Sequence, residues 1–198
     1  MVNNNPRLKQ EYIDKFNTTW NNICGKERLP NILPATRRII VIGDIHGDFA
    51  ELINCLNLAG LINEQYNWIG GDTVVVQVGD QIDSCRPTIN NNCHRKHLDG
   101  DVAEDIKILK FMTQLHNKAV KFNGAIYSLV GNHEIMNSSN DMRYVSYNNV
   151  MDFADTNIPN ENDRFKDGLK KRKQKFAPGN ELANFMACTR NIALVIGS

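Results

Sequence analysis

Apolar side chains along this chain follow two rhythms. The short runs Ile39-Ile40-Val41-Ile42, "TVVVQVGD" from residue 73 and "GAIYSLV" from residue 124 are too brief for helices and rich in β-branched residues. Each predicts a strand, the first a buried one. Between them the spacing becomes helical. "DFAELINCLNLAGL", from Asp48, sets Leu52, Cys55, Leu56 and Leu58 on its expected buried face, with Asp48 capping the N-terminus. Residues 101–121 place Val102, Ile106, Leu109, Met112, Leu115 and Val120 along one side of a second helix. The alternation predicts βαβ units and therefore an α/β fold with helices packed on a mostly parallel sheet. Upstream, residues 6–24 predict a helix with Tyr12, Phe16 and Trp20 on one face, and residues 1–36 read as an arm laid on the domain, with a loop through Pro30 and Pro34. Downstream, residues 147–190 read as short helices and loops, and "NIALVIGS" as a last strand.

Each strand run ends in glycine followed by chemistry-bearing side chains: "GDIHGD" from Gly43, "GDQID" from Gly79 and "GNHE" from Gly131. Carboxyl ends of neighbouring parallel strands converge on one crevice, so Asp44, His46, Asp80, Asn132 and His133 are expected to meet there. Asp44 and His46, two residues apart in an extended segment, are expected to project together. Carboxylate, imidazole and amide oxygen together suit a divalent cation, and a carboxylate such as Asp80 can bridge two. Two ions about 3.5–4 Å apart can bind a phosphate ester and activate a shared water. Gly43, Gly79 and Gly131 are expected to permit close backbone approach at the rim.

Composition narrows the class without changing that picture. The 198 residues, 41% hydrophobic and 23% charged, suit one globular domain with a real core. With 23 basic against 22 acidic residues, overall charge gives no reason to expect nucleic acid or an anionic membrane as partner. The first residues lack a signal-peptide pattern and no apolar stretch is of membrane-spanning length, so a cytoplasmic location is expected. "KKRKQK" at 170–175 admits a nuclear one, although a solvated helix face is the favoured reading of that run. The five cysteines are scattered and are expected to be reduced thiols. Within "CRPTINNNCHRKH", Cys85, Cys93, His94 and His97 allow a structural zinc, with solvated reduced cysteines favoured over it. Met136, Met142, Trp20 and Trp68 are expected to be packing residues.

The three motifs, in that order and at strand ends, resemble those of the calcineurin-like metallophosphoesterases, and the "GNHE" form points to the phosphoprotein phosphatase branch. "WIGGDTVVVQVGDQID", "LVGNHEIMN", "MRYVS", "FAPGNELA" and "RNIALVIGS" are similar to segments of the Shewanella-like protein phosphatases, a likeness running from about residue 37 to residue 198. The resemblance implies a metallophosphoesterase-type layered sandwich over 37–198. It also implies hydrolysis of phosphomonoesters with two divalent ions (Mn, Fe or Zn), on phosphoserine, phosphothreonine or phosphotyrosine of a protein. Asp44 and His46 would hold the first ion, Asp80 would bridge and Asn132 would hold the second. His133 would be the general acid, held and made more basic by Asp83.

Two departures qualify what is implied. Where the family carries a phosphate-clamping Arg after the second motif, this chain has Ser84 and Cys85. Arg86 is then a candidate substitute for the phosphate grip, and Arg143, within "MRYVS", a second substrate-binding candidate. The family's later His-Gly-Gly and Gly-His-Thr segments do not follow "VIGS" here, so the domain reads as shortened at its C-terminal end. The second metal site is therefore expected to be weak, with His94, His97 and His116 not delivered to the crevice. The second sheet is expected to be incomplete, its last strand edge open to a partner or to self-association. Two competing functions are a diadenosine polyphosphate hydrolase and an inactive metallophosphoesterase-like binding module.

Overall fold

Val74–Gln77, strand β3, has every residue buried because it lies between two neighbours and is covered on both faces. The computed structural model describes residues 10–25, 27–88, 92–96, 101 and 103–197. Its main sheet runs β2 (Ile39–Ile42), β3, β4 (Ala125–Ser128), all parallel. The register pairs Ile42 with Gln77 and Gln77 with Ser128, so the three carboxyl ends finish level. That alignment turns three distant motifs into one site.

The crossovers are α2 (Phe49–Leu58) and α3 (Asp105–Ala119), making the expected βαβ units. Asp48 caps α2 as expected, its Oδ1 accepting from Glu51 N at 2.9 Å. The face that α2 buries is Phe49, Leu52, Ile53 and Leu56, packed with Val75, Ile108, Met112, Leu115, Ile126 and Trp68. Fully burying Leu52 or Leu56 contributes about 1.5–3 kcal/mol each. The expected face is corrected at its end, where Leu58 is 92% exposed, because the stripe spaced from Phe49 leaves it on the solvent side. In the second helix, Val120 is 48% exposed, since the α-helix stops at Ala119 and gives way to a short 3-10 turn; Val102 lies outside the described residues.

The opposite sheet face, Val74, Val76, Ala125 and Tyr127, packs on Leu29, Leu33, Leu194 and Ile196. These belong to a second, two-stranded parallel sheet of β1 (Ile32–Leu33) and β5 (Val195–Ile196) and its flanks. β1 falls where the prolines predict only loop. Val195 N and Gly197 N donate to the carbonyls of Asn31 and Leu33, which a segment flanked by prolines can supply. β2 is an edge strand rather than a buried one, with Val41 64% exposed.

The remaining helices are α4 (Asn132–Ser138), α5 (Tyr147–Met151), α6 (Glu161–Phe176) and α7 (Glu181–Thr189). The N-terminal helix α1, Gln10–Cys24, has no buried residue and packs against α7. There Cys24 and Cys188 form a disulfide, Cα to Cα 5.5 Å, and Cys85 and Cys93 form another. The expectation of reduced thiols is thereby corrected for four of the five cysteines; Cys55 alone is free. Helix packing brought together partners that lie 164 positions apart, which scatter along the sequence concealed. No helix among the described residues is long and apolar enough to cross a membrane.

Candidate metal centre

The ends of β3 and β4 touch through glycine. Gly79 has φ +102°, and a Cβ there would stand 2.6 Å from Gly131 Cα; a Cβ on Gly131 would stand 2.2 Å from Asp80 Oδ1. Both positions therefore require glycine. Gly43 does not, since open space surrounds it, which corrects the expectation of close approach there. Asp80 O accepts from Ile45 N and His46 N at 2.9 and 3.0 Å, tying the loop after β2 to the loop after β3. Glu134 ties β3 to β4: its carboxylate accepts from Asp80 N, Gln81 N and Gly131 N at 3.0, 2.8 and 2.7 Å. Burial pushes the Glu134 carboxyl up, and these three backbone donors oppose that rise.

Three site residues, His46 (φ 50°), Asp80 (φ 53°) and Asp83 (φ 70°), hold left-handed backbone conformations that non-glycine residues seldom adopt. Such conformations concentrate where a side chain must be aimed. They also correct the sequence argument for Asp44 and His46. The two side chains do face each other, Asp44 Oδ2 lying 3.4 Å from His46 Nε2, but a turn rather than strand alternation brings them round.

His46, Asp80 and His133 gather so that one potential ligand atom from each lies within 4.8 Å of the others. His46 Nδ1 donates to the Ile82 carbonyl at 3.2 Å, which leaves Nε2 as the ring nitrogen facing Asp44 and the crevice. Asp80 Oδ1 accepts from His133 N at 3.0 Å. Its Oδ2 faces the Asn132 amide, whose oxygen lies 2.9 Å away in one orientation and whose nitrogen donates to it in the other. Imidazole nitrogen, carboxylate oxygen and the oxygen of a turned amide are donors that one divalent cation accepts together. The donor set thus fits a divalent cation. Asp44 stands at the rim, with its side chain 58% exposed, outside the three-residue group.

Behind His133 lies a buried polar cluster. His133 Nδ1 donates to Asp83 Oδ2 at 3.0 Å, and Asn137 Nδ2 donates to the same oxygen at 2.8 Å. Burial alone would push the His133 pKa down, but the hydrogen bond and charge of Asp83, helped by Asp80, more than offset it; the net shift is upward. Asp83 Oδ1 meets Arg172 Nη2 at 3.1 Å, and the same nitrogen meets Asp105 Oδ2 at 2.7 Å, all three side chains being essentially inaccessible to solvent. Burial pushes the Asp105 carboxyl up to about 6 against the pull of Arg172. Tyr144 packs on His133, ring centroids 4.9 Å apart.

Sequence reasoning missed Asn137, Asp105 and Arg172. Asn137 stands one helical turn beyond His133, a spacing that could have pointed to it. Arg172 was hidden in a basic run read as a solvated face, which is corrected here. It occupies the inward stripe Phe165, Leu169, Arg172, Phe176, whose spacing carried the signal.

The substrate candidates are less engaged. Arg86 Nη1 donates to the carbonyls of Asp83 and Cys85 at 3.1 and 2.9 Å, and its charge is near enough to lower the proton affinity of His133. Arg143 is exposed and paired with Asp141 at 2.6 Å. Ser84 Oγ accepts from Asn149 Nδ2 at 3.3 Å. His94 Nε2 meets the Met142 carbonyl and His116 Nδ1 the Ile126 carbonyl, at 3.2 and 2.7 Å, so neither joins the cluster; His97 lies outside the described residues. The Cys85–Cys93 disulfide removes both thiolates from the alternative zinc site.

Fold and strand-end motifs together are those of the metallophosphoesterase class. The calcineurin-like phosphoesterase family model matches residues 37–186, and the chain belongs to that family. Among its relatives are Shewanella-like protein phosphatase 2 of Arabidopsis thaliana, 37% identical over 116 residues (59% of this chain, 25% of that protein), and Shewanella-like protein phosphatase 1 of Plasmodium berghei, 31% identical over 147 residues (74% and 32%). A crystal structure of the cold-active protein-tyrosine phosphatase of a psychrophilic Shewanella shares the fold, with TM-score 0.59 and 22% identity over 88% of this chain and 43% of that one. The chain thus spans 25% to 32% of the length of these two curated relatives.

Proposed function

We propose that this chain hydrolyses phosphomonoesters, with phosphorylated protein side chains as its substrate class. One observation carries the reading: His46, Asp80 and His133 gather within 4.8 Å at the level carboxyl ends of three parallel strands. Asp44 and His46 would hold a first divalent ion, with Asp80 bridging and Asn132 on a second. Ions of this class, Mn, Fe or Zn by ligand chemistry, would supply Lewis-acid activation of water and neutralise phosphate charge.

The chain's own residues do the rest. His133, anchored at Nδ1 by Asp83, has Nε2 left to donate a proton to the departing alkoxide. The hydrogen bond and charge of Asp83 raise the proton affinity of His133 and so favour its charged form. Arg86 is the nearer of the two arginines proposed to hold the phosphate. The phosphatase relatives support a phosphoprotein substrate over a diadenosine polyphosphate. Turnover of a phosphotyrosine, a phosphoserine and a dinucleoside polyphosphate substrate, side by side, tests this; exclusive cleavage of the last would overturn it.

His94 and His116 are engaged elsewhere, leaving Asp80 and Asn132 for the second ion, which favours a weak second site, and a stoichiometry of one without turnover would indicate a binding module instead. The β5 edge, with Val195 51% exposed, is where an added strand from a partner or a second copy would pair. The two disulfides weigh for an oxidising compartment over the cytoplasmic or nuclear location expected from the sequence.

A further inference from the structure

Arg172 is the largest fully buried side chain among the described residues, although it comes from the most basic stretch of the chain. A guanidinium is costly to bury unless its donors are met, and these are: Nη2 by Asp83 and Asp105, Nε by Asn137 Oδ1 at 3.0 Å and Nη1 by the Asn149 carbonyl at 3.3 Å. Phe153 and Phe176 pack on it at 5.4 and 4.8 Å. The contacts constrain one another. Because Asn137 Oδ1 accepts from Arg172, its Nδ2 must face Asp83 Oδ2. Because Asp83 Oδ1 is taken by Arg172, Oδ2 is the oxygen left for His133. The planar fork thus fixes both the carboxylate plane of Asp83 and the amide orientation of Asn137.

We propose that Arg172 is a positioning residue for proton transfer at His133: it touches no substrate and acts by locking Asp83 so that Oδ2 meets the imidazole. The inference rests on the reading of His133 as proton donor. A purely structural Arg172 would be replaceable by an apolar side chain once its excess partner charge was removed. A positioning one would not.

The test uses Arg172→Lys, which keeps the charge and loses the fork, and the charge-balanced double variant Arg172→Met with Asp105→Asn, which leaves Asp83 to His133 and Asn137. Turnover is measured with Mn on phenyl phosphate, whose leaving group needs a proton, and on dinitrophenyl phosphate, whose leaving group departs as an anion. The NMR resonance of the His133 Nδ1 proton is followed in parallel. In the double variant kcat should fall about tenfold or more further on the phenyl than on the dinitrophenyl ester, with KM little changed and Arg172→Lys intermediate. The imidazole resonance should shift. Equal losses on both esters with an unshifted resonance would overturn the proposal. If the native chain cleaves neither ester, the phosphatase reading fails, and the resonance alone decides Arg172: shifted supports it, unshifted refutes it. Should the double variant not fold, Arg172→Lys is judged by the same criteria.

Discussion

Gly131 lies so close to Asp80 that a Cβ on it would stand 2.2 Å from Asp80 Oδ1. The carboxylate proposed to bridge two ions is therefore held by the lack of a side chain on the neighbouring strand end. Gly131→Ala should push Asp80 aside, weakening Mn binding by about tenfold or more and costing about 1–3 kcal/mol of stability from overpacking. Gly43→Ala, at a position with open space, should leave both unchanged. Titration calorimetry on the two variants checks this, and equal affinities would count against the packing argument.

His133 and Asp83 form the second relationship, on which the proposed activity rests. Asp83→Asn keeps the shape but removes the charge that raises the proton affinity of His133. Phenyl phosphate turnover should fall by about 10²–10⁴-fold, the range that general acid catalysis supplies, and His133→Ala should fall similarly. The double variant should be little worse than either single one, since the two residues act as a unit. Additive losses would separate their roles.

Arg86 and Arg143 differ in how much of their charge the site feels. Arg86 lies near enough to His133 to affect it, whereas Arg143 is matched by Asp141 in solvent. Arg86→Ala should raise KM for an aryl phosphate severalfold, and Arg143→Ala should change it by less than about twofold. Steady-state kinetics on the two variants ranks them, and the reverse order would move the phosphate grip to Arg143.

The Cys24–Cys188 disulfide joins α1 to α7 across 164 positions. Reduction, or Cys24→Ser, should lower stability by about 2–4 kcal/mol and loosen α1, which buries no residue of its own. Mass spectrometry under non-reducing conditions, with denaturant unfolding, checks both. Free thiols at both positions in oxidised protein would contradict the cross-link.

What the sequence disclosed and what it concealed divide along physical lines. Strand runs and strand-end motifs were legible because they are local: Val74, Val75 and Val76 announce a strand, and Gly-Asp at its end announces a tip. The α2 cap at Asp48 was legible for the same reason. The inward face of α2 was only half so, because placing Leu58 required knowing that the stripe starts at Phe49. Arg172 was illegible by composition, since a run of basic residues looks solvated until the positions of Phe165, Leu169 and Phe176 show which way it points. The Cys24–Cys188 disulfide needed helix packing that no spacing encodes. β1 hid between two prolines because its partner, β5, lies at the far end of the described chain.

The most direct test of the central claim is Mn stoichiometry and aryl phosphate turnover, measured together on the native chain and on Asp80→Asn. The native chain should bind at least one ion per molecule and turn over substrate only when loaded; Asp80→Asn should lose most of the bound metal and at least about 10²-fold in rate. Metal content and hydrolysis both unchanged in Asp80→Asn would contradict the assignment of the three strand ends as the reactive centre.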